Sequence, residues 1–196
     1  MTAAATAPGD PSARRIPAES GTWVFLFGDM LVFGVFFVTF MVERAKAPEL
    51  FDVARTSLHT GVGVTNTLVL LTSSLCIVVA LGAIRAGAKS IAAKAVSAAI
   101  AFGLLFIGLK VYEYVSLATS GHGPGANDFF LYYFILTGLH LFHVCVGIGV
   151  LGFLLTQTRR DDISTTRMAA IEGGACFWHL VDLLWIFLFA LLYLVS

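Results

Sequence analysis

The stretch that decides the fold is residues 177–189, which read FWHLVDLLWIFLF. It lies within an apolar segment from about residue 168 to residue 195, yet it contains His179 and Asp182, and Glu172 lies seven residues before the histidine. At roughly 100° per residue, positions 172 and 179 nearly superimpose on a helix, and position 182 lies within a quarter-turn of them. The pattern predicts an apolar helix that carries one narrow polar strip.

This polar strip restricts where the helix can lie. An ionisable side chain at bilayer depth costs roughly 3 kcal/mol or more, and it normally faces other helices, water or a partner. Three ionisable residues on one face therefore indicate a buried interior face. That face lies either within this chain or against another subunit.

The composition of the chain indicates an integral membrane protein. Of the 196 residues, 58% are hydrophobic and only 12% are charged, whereas a soluble domain of this size needs far more charge to cover its surface. The formal net charge is zero, so we expect no nucleic acid among its partners. We expect one domain at residues 21–196, preceded by a disordered leader at residues 1–20.

Five segments are long and apolar enough to cross a bilayer, which takes about 20 residues of helix. They are residues 22–42, 61–84, 91–115, 129–156 and 168–195, separated by polar or turn residues. The predicted fold is therefore an all-α, polytopic transmembrane bundle of five helices. Small residues in the third segment, including Ala99 and Gly103, predict that this helix lies at the centre of the bundle.

The distribution of basic residues predicts the orientation, because cytoplasmic loops carry an excess of Lys and Arg. The side of the N-terminus has Arg14, Arg15, Arg85, Lys89, Lys94, Arg159, Arg160 and Arg167, and the opposite side has Arg44, Lys46 and Arg55. Five spans place the two termini on opposite sides. We therefore expect the N-terminus in the cytoplasm and the C-terminus outside.

Other polar residues lie within the spans. Asp29 lies in the first, and Asn66 lies in the second beside Thr and Ser residues, whose hydroxyls we expect to bond to carbonyls of their own helix. Lys110 and Glu113 are three residues apart in the third, so one turn of helix can pair them and lower the cost of burying both charges. The alternative is a pair that snorkels near the helix end.

Two histidines in the fourth span, His140 and His143, have the spacing of a chelating pair, and His179 could add a third ligand. The Glu-x-x-His pairs of di-iron bundle sites are absent from the sequence, so we expect hydrogen-bonded structural histidines and no metal. His140 and His179 stay open as axial ligands of a haem, which nothing else in the sequence supports. Common hydrolase, nucleotide-binding and zinc-enzyme motifs are absent, and we expect no catalytic residue.

Four motifs follow one another along the chain, each within a predicted span. They are Thr65-Asn66-Thr67 with Leu71-Thr72-Ser73-Ser74, Lys110-x-x-Glu113-Tyr114, Thr137-Gly138-x-His140-x-x-His143-Val144-x-x-Gly147, and Glu172 followed by Trp178-His179-x-Val181-Asp182-x-x-Trp185. In their order and approximate separation, over about residues 22–196, they resemble subunit III of haem-copper respiratory oxidases.

The chain departs from that family pattern in two ways. The family often has seven helices, and this chain resembles the short form that lacks the first two. The first shared helix usually carries Ser-Glu before a Phe-rich run, where this chain has Gly28-Asp29. With Trp23-Val24-Phe25, this is similar to the accessory branch associated with nitric oxide reductases.

The resemblance implies a non-catalytic subunit without haem, copper or another redox metal of its own. In the family, subunit III docks on the catalytic subunit, holds phospholipids between its helices, and sustains proton uptake and the lifetime of the catalytic centre. The implied partners are the catalytic subunit of an oxidase or nitric oxide reductase, other subunits of that complex, and membrane lipids. The implied location is the bacterial inner (plasma) membrane.

The resemblance also implies a structural polar network beside the lipid cleft. Its candidate residues are Asp29, Asn66, Lys110, Glu113, His140, His143, Glu172, His179 and Asp182. Glu172 and His179 would make interhelical contacts near the cleft, with His143 on the neighbouring fourth helix.

Two other functional classes stay open. A small membrane enzyme with a His and carboxylate metal site would hold a stoichiometric transition metal. An independent channel or transporter would use the face of Asp29, Glu113 and Glu172, and it would support flux in liposomes without any partner.

Overall fold

The computed structural model describes residues 20–158, 160 and 165–194, and these form helices joined by short turns. The helices are α1 (Ser20–Lys46), α2 (Pro48–Arg55), α3 (Thr60–Arg85), α4 (Lys89–Thr119), α5 (Asp128–Thr158) and α6 (Thr165–Phe189), with α6 continued by a π-helical segment, Ala190–Leu194. No strand occurs in this part of the chain.

Five of the six helices are long and apolar enough to span a membrane, as the sequence predicted. They run over Gly21–Lys46, Thr60–Arg85, Lys89–Thr119, Asp128–Thr158 and Thr166–Leu194. Most helix ends extend past the apolar residues into polar ones, because backbone hydrogen bonding does not stop where the hydrophobic run stops. The all-α, five-span class is confirmed. The orientation stays a prediction.

The region between the first two spans contains a helix that the sequence analysis did not predict. Helix α2 begins with Pro48, a residue favoured in the first turn, and ends with the cation Arg55, which interacts favourably with the helix dipole. Its Phe51 packs edge-on against Phe40 and Phe129, with ring centroids 5.5 and 5.7 Å away. Eight residues with one buried aromatic give too weak a periodic signal to distinguish a helix from a polar linker.

The centre of the bundle is α6, and the expectation that the third span lies there was wrong. In the most apolar 18-residue stretch of the last span, 61% of the residues are buried, against 28% in the corresponding stretch of α4. The small residues of the neighbouring helices receive Trp178 of α6. A Cβ atom placed on Gly103 or Gly147 would lie 3.0 or 2.7 Å from its ring. The small residues therefore mark the surface that packs on the central helix.

Helix α1 lies at the edge of the bundle. Only 17% of the residues in its most apolar 18-residue stretch are buried. It packs on α5 and α6, mainly through phenylalanine side chains. Phe33 and Phe40 are its most deeply buried residues, and Phe33 lies edge-on to His143 at 5.3 Å. The leader predicted at residues 1–20 lies outside the described residues, except for Ser20, which begins α1.

Candidate functional site

Polar side chains collect in the interior of the bundle, and we call them the polar core. The buried members are Asn66, Ser73, Lys110, Glu113, Thr137, His140 and Asp182. Of the nine residues predicted from sequence, five are among these buried members, and Asp29, His143, Glu172 and His179 are partly buried.

The most deeply buried charges are those of Lys110 and Glu113 on α4. Their side chains are 1% and 2% exposed, and Lys110 Nζ donates to Glu113 Oε2 at 2.7 Å. Lys110 Nζ also donates to the hydroxyls of Tyr133 at 2.9 Å and Tyr193 at 3.4 Å. The Tyr193 hydroxyl donates to Glu113 Oε1 at 2.7 Å. Both charges are therefore compensated by one another and by hydroxyls, which reduces the cost of desolvation.

Aromatic rings surround the Lys110 ammonium. Nζ lies 4.9 Å from the ring centroid of Tyr133, 5.1 Å from that of Trp185 and 5.4 Å from that of Tyr114. The negative face of an aromatic ring attracts a cation, most strongly where water is excluded. The lysine thus lies in an aromatic cage, which explains why it is not drawn to the membrane surface.

The position of Tyr193 depends on the π-helical end of the last span. Arg55 of α2 donates to the backbone carbonyls of Tyr193 and Leu194, both at 3.4 Å. The last carbonyls of a helix have no partner within the helix and are commonly satisfied by a basic side chain. Helix α2 therefore stabilises the segment that carries the Tyr193 hydroxyl to Glu113.

The polar strip of α6 faces α3. In order along α6, the contacts are Glu172 with Arg85 at 2.9 Å, Trp178 with Ser73 at 3.2 Å, His179 with Ser74 at 2.6 Å, and Trp185 with Thr67 at 3.1 Å. From the first of these contacts to the last, the α6 number rises from 172 to 185 while the α3 number falls from 85 to 67, which is the register of two antiparallel helices. The strip could be predicted from the sequence pattern, but its partners and the two indole N–H donors were not predicted.

The hydroxyls of α3 divide into two groups. Thr65, Thr67 and Thr72 bond to the carbonyls four residues before them, as expected. Ser73 instead donates to the Ala99 carbonyl of α4 at 2.9 Å, and Ser74 bonds to His179 of α6. The expectation that all these hydroxyls would bond within their own helix was therefore wrong for the two serines.

Glu172 lies at the boundary of the bundle and not in its interior. Its side chain is 20% exposed and that of its partner Arg85 is 59% exposed. Of the three ionisable residues predicted on a buried face, Asp182 is buried, His179 is partly buried, and Glu172 lies at the end of the same strip.

An ion pair joins α1 to α5. His143 Nε2 lies 2.9 Å from Asp29 Oδ1, and His143 Nδ1 lies 2.7 Å from the Leu139 carbonyl. A carbonyl oxygen only accepts, so Nδ1 carries a proton. One further proton must lie between Nε2 and Oδ1, since two acceptors would repel at this distance. The pair is therefore net neutral, whether that proton resides on the imidazole or on the carboxyl group.

His140 differs from the expected hydrogen-bonded histidine. It is completely buried, and neither ring nitrogen has a hydrogen-bond partner among the described residues. Its ring lies between Phe106, with centroids 5.7 Å apart, and Trp185, at 5.3 Å. Within the described ranges, no group of three or more His, Cys, Asp and Glu residues has the arrangement of a metal site.

Two further polar residues of the core are incompletely bonded. Asn66 is completely buried, and both its amide nitrogen and its amide oxygen are without a partner in the described part of the chain. The same applies to Oδ1 of Asp182. Isolated buried polar atoms are uncommon in folded proteins and call for an explanation.

The residues that complete the core were not predicted from sequence. Four such residues bond to a group on another helix: Tyr133, Tyr193, Arg55 and Arg85. No short sequence motif predicts these contacts. The only available signal was the presence of tyrosine hydroxyls within apolar spans, since buried tyrosines usually find a partner. Chemically, the core can hold helices together and can carry protons on its His and carboxylate groups.

The chain is similar to known membrane subunits along nearly its whole length. Residues 11–196 match the family model described as cytochrome c oxidase subunit III. The chain is 32% identical over 177 residues to cytochrome c oxidase subunit 3 of Thermostichus vulcanus, covering 90% of this chain and 86% of that protein. It is 30% identical over 196 residues to cytochrome c oxidase subunit 3 of Alkalihalophilus pseudofirmus, covering 96% and 93%. It is also 29% identical over 179 residues to cytochrome bo(3) ubiquinol oxidase subunit 3 of Pseudomonas putida, covering 90% and 84%.

Proposed function

Because this chain belongs to the cytochrome c oxidase subunit III family, we propose that it binds and stabilises the catalytic subunit of a haem-copper respiratory oxidoreductase. In this role it is a non-catalytic, multi-pass subunit of the bacterial inner membrane. It carries no haem or copper of its own, and it supports proton uptake by the catalytic subunit and its working lifetime. The redox chemistry belongs to the partner.

The observation that carries this proposal is that charged side chains within the spans point into the bundle. Lys110 pairs with Glu113 in the core, and Asp29 pairs with His143 between two helices. The outward faces of the spans carry large apolar side chains, such as Phe25 and Leu31 on α1 and Phe142 on α5. Such a bundle offers an apolar flank to a membrane partner or to lipid, and its buried ion pairs set the helix arrangement.

Bound phospholipid is part of the same proposal. A groove of about 260 Å³ lies between α1 and α6, lined by Trp23, Leu26, Phe27, Met30, Cys176, His179, Leu180 and Leu183. Its lining is almost wholly apolar and therefore fits an acyl chain better than a polar ligand. Among these lining residues, His179 is the histidine and can offer a hydrogen bond to a polar headgroup.

The test is capture of the full-length chain from its own membranes in mild detergent. We expect a haem-containing catalytic chain to co-purify, and we expect complexes from cells without this chain to lose activity faster during turnover. An untagged strain taken through the same purification is the control. A capture without any haem protein, or a Soret band from this polypeptide alone, would contradict the proposal.

A nitric oxide reductase is the alternative partner. The observation in its favour is Gly28-Asp29 in the first span, where oxidase subunits III usually carry Ser-Glu. Mass spectrometry of the co-purified catalytic chain distinguishes the two. A cytochrome c or quinol oxidase catalytic chain in the complex would eliminate the nitric oxide reductase.

A further inference from the structure

The centre of the bundle contains four polar atoms that no described residue satisfies. They are the amide nitrogen and oxygen of Asn66 and both ring nitrogens of His140. Both residues are 0% exposed, so bulk solvent does not reach them. Burying a polar atom without a hydrogen bond is costly, and a buried water is a common reason why such an atom persists in a native structure.

Trp185 contacts both His140 and the chain neighbour of Asn66. Trp185 of α6 donates to Thr67, the neighbour of Asn66 on α3, and its ring also packs on His140 of α5 at 5.3 Å. Helices α3 and α5 both pack on α4 and α6. Asn66 and His140 therefore approach the same layer of the core from two different helices.

The donor protons of the protein groups around this layer are already directed to other partners. The Lys110 ammonium directs its protons to Glu113, Tyr133 and Tyr193. Thr67 donates to the Gly63 carbonyl and accepts from Trp185. Rotation of a neighbouring side chain would break one bond to make another.

A second pair of hydroxyls is committed in the same way. Ser73 donates to the Ala99 carbonyl and accepts from Trp178. Thr137 donates to the Tyr133 carbonyl, so it accepts from the Tyr114 hydroxyl at 2.7 Å. None of these groups therefore has a free proton for the Asn66 amide oxygen or for the acceptor nitrogen of His140, and a partner that donates to them must come from outside this set of groups.

We propose that Asn66 and His140 form a shared site for buried water in the core of the bundle. An asparagine amide both donates and accepts, and a neutral imidazole has one donor and one acceptor nitrogen. The partner must therefore donate and accept as well. Water does both, whereas a metal cation only accepts electron pairs and would face the amide N–H group and the nearby Lys110 ammonium. The site does not depend on which catalytic subunit the chain joins.

The site has a structural consequence for the polar core. Water bonded to Asn66 and His140 would place a further polar group close to Trp185, whose ring centroid lies 5.1 Å from Lys110 Nζ. Asp182 Oδ1, which is also unsatisfied, lies one turn from Trp185 on α6 and is the next acceptor in line.

Apolar replacement tests the site in the full chain, purified with whatever subunits accompany it. If water is bound, Asn66→Leu and His140→Phe each lower the midpoint of thermal unfolding by several degrees. The double variant then loses less than the sum, because both changes remove the same water. If the site is dry, replacing an unsatisfied polar group by an apolar one of similar shape leaves the midpoint unchanged or raises it. That result would overturn the proposal.

The matched control pairs His140→Phe with Ser73→Ala. The hydrogen bonds that Ser73 makes among the described residues satisfy its hydroxyl with the Ala99 carbonyl and the Trp178 indole, so these two losses should add. Should a variant fail to fold, a high-resolution density map of the unmodified complex decides. Peaks within hydrogen-bond distance of Asn66 and His140 support the site, and either no peak or the strong peak of a metal ion rules it out.

Discussion

Among single residues, Lys110 stands out for the cost of burying its charge, because its side chain is 1% exposed within a membrane span. Three kinds of interaction offset the cost: the carboxylate of Glu113, the hydroxyls of Tyr133 and Tyr193, and the faces of the aromatic cage. Removing one partner of a buried pair usually costs more than removing both, since the remaining charge is left uncompensated.

The first prediction concerns Glu113. Replacement Glu113→Gln preserves shape but leaves the Lys110 ammonium without its counter-ion. We expect a loss of about 3–5 kcal/mol in the free energy of unfolding, measured by denaturant titration in detergent micelles. The double variant Lys110→Met with Glu113→Gln should recover most of this loss. A double variant as unstable as the single one would contradict the explanation.

Glu172→Gln is the matched control for Glu113, because it removes the same charge from a more exposed pair. Glu172 and Arg85 are 20% and 59% exposed, so water screens them. We expect a loss below about 1 kcal/mol. Equal losses at Glu172 and Glu113 would show that burial does not govern the cost.

Gly147 gives the second prediction at this scale. A Cβ atom there would lie 2.7 Å from the rigid, buried ring of Trp178, so Gly147→Ala must displace the central helix. We expect a loss of about 1–3 kcal/mol, as in other overpacked cores. Gly149→Ala on the same helix is the control, since nothing lies within 4 Å of its Cβ position. Similar unfolding curves for the two variants would argue against close packing at Trp178.

At the scale of elements, α1 differs from the other spans in how it is attached. It is the least buried of the five spans in the described part of the chain. Asp29 near its middle pairs with His143 of α5, and Arg44 at its end pairs with Asp52 of α2. Elements with little buried area open more readily than the rest of a protein. The Asp29–His143 pair is therefore a contact that holds the middle of α1 against α5.

The third prediction follows from this attachment. In Asp29→Leu, His143 loses its partner, and we expect faster hydrogen exchange of α1 amides while α3 and α4 stay unchanged. Thr39→Ala is the control, because Thr39 bonds only to the Val35 carbonyl of its own helix. Exchange that rises equally in all helices would mean that the pair stabilises the whole fold and not α1 in particular.

At the scale of the whole molecule, the bundle separates a polar interior from an apolar exterior. Soluble proteins have the opposite arrangement, but in a bilayer the exterior meets hydrocarbon, so charged groups are least costly where they meet one another. Helix α6 occupies the centre and bonds to α3 along its length. The exterior of the spans is then free to meet lipid or another subunit.

The fourth prediction is the orientation of this molecule in the membrane. Basic residues are in excess in the segments on the same side of the membrane as the N-terminus. This excess predicts a cytoplasmic N-terminus and an external C-terminus. Alkaline phosphatase fused after Ser196 should be active, and the same enzyme fused at Gly87 should be inactive. Green fluorescent protein at the two sites is the reciprocal control. The reverse pattern would refute the orientation.

Features within one helix could be predicted from the sequence. Five spans follow from the length of the apolar runs, because the thickness of the bilayer sets how many residues a crossing needs. The pairing of Lys110 with Glu113 follows from their spacing, because residues three apart lie on one face of a helix. The polar strip of α6 was visible for the same reason.

Contacts between helices were decided by the tertiary structure alone. Asp29 pairs with His143, and Ser74 bonds to His179. Tyr193 bonds to Glu113 beside Lys110, although the two residues are 80 positions apart in the sequence. A periodic pattern shows which face of a helix is polar, but it does not show which helix lies opposite. The central position of α6 and the unsatisfied atoms of His140 depend on which helices are neighbours. Packing determines these neighbours only when all five spans come together.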